Sequence, residues 1–147
     1  MRIGLTGGIG SGKTFISSVF KSLGIEVFNA DLKAHEAYLD PIIKSEVIAL
    51  LGKQSYTDQT PNKNHIASMV FSNTELLSNL NKLIHPWVER EFNNWADNLS
   101  EQTFILKEAA ILFESGSYQN LDAVICVHAP DKTRITRVMQ RDNTTQE

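Results

Sequence analysis

Eight consecutive residues carry the first recognisable chemistry of this chain: Gly7-Gly8-Ile9-Gly10-Ser11-Gly12-Lys13-Thr14. They read G-x-x-x-x-G-K-[ST], a phosphate-cradling loop. Glycines let the backbone curl with its N–H groups pointing inward, at the positive end of the next helix's dipole, and such a cradle binds anions. In that pattern the lysine reaches the β- and γ-phosphates and the hydroxyl ligates Mg²⁺, roles that fall to Lys13 and Thr14. With glycine at roughly 7% of residues, the pattern arises by chance in well under ~1% of chains this long. An ordinary glycine-rich turn is the bland alternative, and nucleotide phosphate binding is the stronger reading.

Other residues could act on that phosphate. Asp31 ends the second apolar run; a kinase acting on a hydroxyl needs a carboxylate there to orient the hydroxyl and take its proton. Asp is equally favoured as an N-cap for a helix starting at Leu32, and one side chain could do both. Glu108 ends an apolar strand, as a Mg²⁺-associated acid does, although Lys107 interrupts the run and an exposed strand-end charge is the alternative. Arg137 and Arg141, at i and i+4, could clamp phosphate oxygens bidentately, yet spacing alone favours a solvated basic face shared with Arg134.

Several chemistries find no support. His35, His65, His85 and His128 lack zinc-ligand spacing, and no Ser-His-Asp arrangement is discernible. The guanine-reading Asn-Lys-x-Asp is absent, since Asn62-Lys63-Asn64-His65 and Asn81-Lys82-Leu83-Ile84 both lack the acid. Cys126, the single cysteine, sits in the run Val124-Ile125-Cys126-Val127, which reads as buried strand and a structural thiol.

The elements that must position these residues follow from periodicity. Ile3 to Thr6 is a short apolar strand before the loop. Phe15, Ile16, Val19, Phe20 and Leu23 behind it keep a helical period. Ile25 to Phe28 is a second strand. From Leu32 to Leu51 the pattern is helical, broken at Asp40-Pro41, where proline suits a first turn. Gly52 to Asn64 reads as a loop, and Ile66, Met69 and Val70 as a short helix. A capped start at Ser72 to Glu75 leads into Leu76, Leu77, Leu80, Leu83 and Ile84. His85-Pro86 is expected to break that helix, with a second resuming at Trp87, Val88, Phe92 and Trp95. Thr103 to Leu106 and Ala123 to Val127 are the last strands, and Pro130-Asp131 opens the last helix.

Strand–helix alternation predicts an α/β fold, a parallel sheet flanked by helices with a helical insert between the second and third strands. Ligands in such sheets bind beyond the carboxyl ends of the strands, so the loop, Asp31 and Glu108 are expected to converge. At 147 residues the length suits one domain. A net charge of −3 disfavours a sequence-independent nucleic-acid binder. No apolar run reaches the length of a membrane span and the first strand begins without a signal-peptide core, so a cytoplasmic location is expected.

Separated stretches then match one family. The opening Ile3 to Thr14 is similar to the Leu-Thr-Gly-Gly-Ile-Gly-Ser-Gly-Lys-Ser start of dephospho-coenzyme A kinases. Val27-Phe28-Asn29-Ala30-Asp31 resembles their Val-Ile-Asp-Ala-Asp, and Val70-Phe71, His85-Pro86, Ile111-Leu112-Phe113-Glu114 and Met139-Gln140-Arg141-Asp142 follow in matching order. Asn29 stands where that family often has Asp, Ala110 where it commonly has Pro, Lys63 where arginine is frequent, and Phe15 in place of a small hydroxyl.

The resemblance implies a three-layer α/β/α P-loop kinase fold with its core at 1–31 and 102–137. It implies an acceptor-binding helical insert at about 32–101 and the start of a lid at about 138–147. It implies transfer of phosphate from ATP, with Mg²⁺, to the ribose 3′-hydroxyl of dephospho-coenzyme A. Asp31 would be the base, with Lys13, Arg137 and Arg141 stabilising the moving phosphoryl group. Gly7 through Phe15 would hold the nucleotide, and Thr14 with Glu108 the metal. Family members continue past the Gln-Arg-Asp motif through a fifth strand, so a shortened lid and an open apolar edge on the last strand are also expected. Another small P-loop metabolite or nucleotide kinase, or a nucleotide-binding fragment without turnover, are the alternatives.

Overall fold

The computed structural model describes residues 1–143. In chain order the elements begin β1 (Arg2–Thr6), α1 (Lys13–Ser22), β2 (Val27–Asn29), α2 (Ala30–Ala37) and α3 (Pro41–Leu51). They continue β3 (Tyr56–Thr57), β4 (Thr60–Pro61), α4 (Lys63–Phe71), α5 (Thr74–Asp97), β5 (Ile105–Glu108), β6 (Ala123–Cys126) and α6 (Asp131–Asp142). The chain divides into two units, Met1–Asp31 with Trp95–Glu147, and Leu32–Asn94.

The first unit is built on a four-stranded sheet in the order β2-β5-β1-β6, parallel throughout. Parallel strands are covered on both faces and read as apolar runs, and Leu5 and Leu106 on the two central strands are fully buried. Register sets the site: Leu5 and Asn29 both lie opposite Glu108, and Thr6 lies opposite Cys126. The carboxyl ends of all four strands are therefore level.

One burial expectation fails here. Cys126 is exposed, because among the described residues β6 is an edge strand paired only to β1. On α1, Phe15 and Leu23 are each 70% exposed and Val19 is 40% exposed, while Ser17 is buried. The period identified the helix correctly, but only one side of it meets the sheet, where the Phe20 ring packs edge-on to Phe104 at 6.3 Å. The second unit ends at Asn94, short of the expected limit near 101. Trp95 and Asp97 belong with the sheet, the former 5.4 Å from the Phe28 ring and the latter paired to Arg2 at 2.9 Å.

In the second unit, local caps start the helices. The Asp40 carboxylate accepts from the N–H groups of Ile42 and Ile43 ahead of Pro41, and Asn62 and Asn73 serve α4 and α5 in the same way. Such caps satisfy donors that the helix leaves free. The expected loop at 52–64 holds a two-residue antiparallel pairing of β3 with β4.

The predicted break at Pro86 does not occur: α5 runs 24 residues straight through it. A proline inside a helix costs about 3 kcal/mol. Leu80, Ile84, Val88 and Phe92, all buried, repeat every four residues on both sides of it. Each such burial contributes about 2 kcal/mol, so the stripe outweighs the defect. α6 likewise runs unbroken across position 138; the rest of the expected lid, 144–147, lies outside the described residues.

Candidate active site

The loop leaves β1 at Thr6 and enters α1 at Lys13. Its turn is closed by the Ser11 N–H donating to Gly8 O at 3.0 Å, and the Ile16 N–H donates to Gly12 O at 3.1 Å to begin the helix. Gly10 is required twice over: its φ is +74°, and a Cβ there would lie 2.5 Å from the backbone oxygen of Arg134. The loop walls a cavity of about 430 Å³, completed by Ala110, Arg137, Val138 and Arg141. That polar backbone cradle at a helix N-terminus is suited to phosphate.

Lys13 and Asp31 meet at this loop, with Lys13 Nζ 3.4 Å from Asp31 Oδ2. The lysine side chain is 12% exposed and the aspartate 45% exposed, so one partner is held and the other faces outward. Asp31 is the second residue of α2, inside its first turn. Its carboxylate accepts instead from the N–H of Ala110, at 3.3 Å to Oδ1 and 3.2 Å to Oδ2. The partners of this carboxylate are thus Lys13 and the Ala110 N–H, both beside the glycine loop at the strand ends.

Glu108 is not an exposed strand-end charge. It is 3% exposed, because β5 is flanked by β1 and β2 on either side. Asn29 Nδ2 donates to Glu108 Oε2 at 3.4 Å. An aspartate at 29 would set two carboxylates side by side, whereas the amide supplies a donor.

The arginines of α6 have hydrogen-bond partners within the chain. Arg137 Nη1 donates to the carbonyls of Gly10 at 3.2 Å and Ser11 at 3.1 Å. Arg141 forms a two-point pair with Asp142 at 2.7 and 2.9 Å, which raises the arginine pKa and lowers that of the carboxyl. Both still line the cavity. Arg134 had been placed only on the same helix face, yet its Nε donates to Ile9 O at 2.9 Å and its Nη1 pairs with Asp131 at 3.2 Å. Spacing could group these three residues but could not show that two of them bind the back of the loop.

Phe15 lies off the phosphate cavity and lines a second one of about 620 Å³ with Ile16, His128 and Ala129. Ser11, Gly12 and Arg137 border both. Ser11 Oγ is buried with no hydrogen-bond partner among the described residues.

Among the described residues no group of three or more His, Cys, Asp or Glu could hold a metal by itself. The donors present are all oxygen: the Thr14 hydroxyl in the cavity wall, the outward-facing Asp31 and the buried Glu108. That set fits Mg²⁺, which keeps several waters and is held by one or two protein oxygens together with substrate phosphates.

A family model described as dephospho-CoA kinase (CoaE) matches residues 1–147. A dephospho-CoA kinase of Chlorobium chlorochromatii is 40% identical over 153 residues, spanning 99% of this chain and 72% of that protein. One from Porphyromonas gingivalis is 37% identical over 148 residues, again 99% and 72%. Among solved structures, TT1252 from Thermus thermophilus superposes with a TM-score of 0.83 at 30% identity, covering 99% of this chain and 74% of that one. Dephospho-CoA kinase from Campylobacter jejuni shares the fold, with a TM-score of 0.72 at 24% identity, 98% of this chain and 74% of that one.

Proposed function

The chain belongs to the dephospho-CoA kinase family, and from that premise we propose how its residues divide the work of the reaction. The activity is ATP-dependent phosphorylation of the ribose 3′-hydroxyl of dephospho-coenzyme A, giving coenzyme A and ADP in the last step of coenzyme A biosynthesis.

The observation that carries the division of roles is the meeting of Lys13 Nζ and Asp31 Oδ2 at 3.4 Å beside the glycine loop. Gly7 through Thr14 bind the triphosphate through backbone N–H groups, and Phe15 sits where the nucleotide leaves the loop. Lys13 stabilises the charge on the transferring phosphoryl group. Asp31 orients the acceptor hydroxyl and takes its proton, and the Ala110 N–H holds its carboxylate in place. Arg137 acts on the loop from behind, and Arg141, on the cavity rim, would exchange its pair with Asp142 for phosphate oxygens. Phosphoryl transfer asks for positioning and electrostatics more than covalent chemistry.

Mg²⁺ would be held by Thr14 with the phosphates, with Glu108 as the acid we assign to it from the carboxyl end of β5. When bound it neutralises charge on the β- and γ-phosphates. We assign the acceptor's grip to the helical unit Leu32–Asn94. A cytoplasmic location suits a kinase drawing on ATP, and among the described residues no helix is long and apolar enough to cross a membrane.

Coupled ADP-release assays with dephospho-coenzyme A and a panel of nucleoside monophosphates test the acceptor; turnover only with the latter would overturn it. Asp31→Asn is expected to cut turnover about 10³-fold, the scale of a lost general base, while calorimetry still detects ATP binding. Unchanged turnover would remove Asp31 from the chemistry.

A further inference from the structure

Three successive carbonyls on the outer turn of the loop, those of Ile9, Gly10 and Ser11, accept hydrogen bonds from two arginines of α6. Arg137 also reaches the cavity, but Arg134 is not among its walls. Two of the three nitrogens of the Arg134 guanidinium are hydrogen-bonded, and the third lies close to the loop. Nε donates to Ile9 O at 2.9 Å, and Nη1 is held by Asp131 at 3.2 Å. Nη2 lies over Gly8, where a Cβ would approach it to 2.7 Å. Its backbone oxygen occupies the space a side chain at Gly10 would need.

We propose that Arg134 is a positioning residue for the nucleotide triphosphate, acting through the loop and never touching the ligand. The carbonyl and N–H of a planar trans peptide point in opposite directions. Anchoring Ile9 O to Arg134 therefore fixes the Gly10 N–H facing away from the arginine, on a residue that lines the phosphate cavity. Arg137, by anchoring Ser11 O, does the same for the Gly12 N–H. Without the anchor the Ile9–Gly10 peptide is free to rotate, since glycine resists little, and a donor aimed at phosphate is lost for part of the time. Asp131 offsets the arginine's charge, so its contribution is geometric rather than a second positive charge for the phosphates.

The proposal rests on nucleotide binding at this loop, and the test separates the two. Arg134→Met and Arg134→Lys would be compared with the unaltered chain by calorimetric titration with MgATP, by steady-state kinetics, and by amide hydrogen exchange at Gly10. A charge-assisted hydrogen bond is worth enough for about a tenfold or larger loss. The expected result is that loss of ATP affinity in both variants, with a matching rise in KM for ATP. The KM for the acceptor and kcat at saturating ATP stay unchanged, and Gly10 exchange accelerates while β1 exchange does not. Lysine fails to rescue because its ammonium cannot reproduce the fork that spans Ile9, Asp131 and Gly8. Full ATP affinity in the lysine variant would show that charge alone matters and overturn the proposal, as would unaltered affinity in the methionine variant. If both variants lose ATP affinity while dephospho-coenzyme A is not phosphorylated by the unaltered chain, the inference on Arg134 stands and the acceptor assignment falls.

Discussion

The helical unit and the glycine loop are shaped at opposite ranges along the chain. In the helical unit, Asp40 caps α3 through residues two and three positions on, and Asn62 and Asn73 cap α4 and α5 over the same short distance. In the loop, Ile9 is fixed by a residue 125 positions away and Gly10 by one 127 positions away. The helices can form from their own neighbours and then gain stability by burying a stripe. The loop has its working shape only once α6 is folded behind it, so damage to the loop need not reach the helices, nor damage to the caps reach the loop.

The sharpest way to break this contrast uses two glycines of similar positive φ. Gly10 and Gly52 have φ of +74° and +87°. A methyl at Gly10 would strike the backbone of Arg134, while at Gly52 nothing lies within 4 Å. Gly10→Ala is therefore expected to lower ATP affinity about 100-fold, from strain of about 1–3 kcal/mol plus displacement of the loop from α6. Gly52, at ψ 164°, holds a backbone conformation nearly confined to glycine, so Gly52→Ala should cost about 1–3 kcal/mol of stability and leave ATP titrations unchanged. Equal effects of the two on ATP binding would end the distinction.

A smaller effect is expected from Asp40→Ala, which removes the cap of α3: a drop of a few degrees in Tm with ATP affinity intact. Loss of ATP affinity in this variant would mean that cap and loop are coupled.

The smallest prediction concerns pH. The Asp40 carboxyl is held below its ordinary value, first by the Trp87 indole N–H at 3.1 Å, then by the helix N–H groups and the charge of Arg90. Its folded pKa thus lies under the unfolded value of about 3.9. Its contribution to stability is present above that value and disappears as pH falls through the folded one. Asp40→Asn should flatten the acid side of the stability curve below about pH 4, as read by denaturant midpoints. An acid limb identical to that of the unaltered chain would assign the effect to other carboxyls.

What the sequence disclosed divides along the same line. The phosphate loop, the parallel sheet and the helix starts at Pro41 and Thr74 were legible, because local pattern dictates them. Burial was not: Cys126 looked like core and is exposed, and Phe15, Val19 and Leu23 share an apolar face that is also exposed, since pattern shows which face is apolar but not what covers it. Pro86 misled because the cost of one residue was weighed without the buried stripe that exceeds it. For Glu108, the charged Lys107 beside it left an exposed strand end open as the alternative, yet both are buried on a strand with neighbours on each side. Arg134 was hidden for the most general reason: its partner is a backbone carbonyl, and a backbone carbonyl has no sequence signature.

The position of Cys126 has a practical meaning. It is the single thiol of the chain, it is exposed, and its backbone pairs in register with Thr6, the residue from which the glycine loop departs. The protein thus carries one chemical address for a dye or spin label, one strand away from the root of the phosphate cradle. A probe attached there reports on the loop from outside the cavity, with no cysteine to remove and none to introduce.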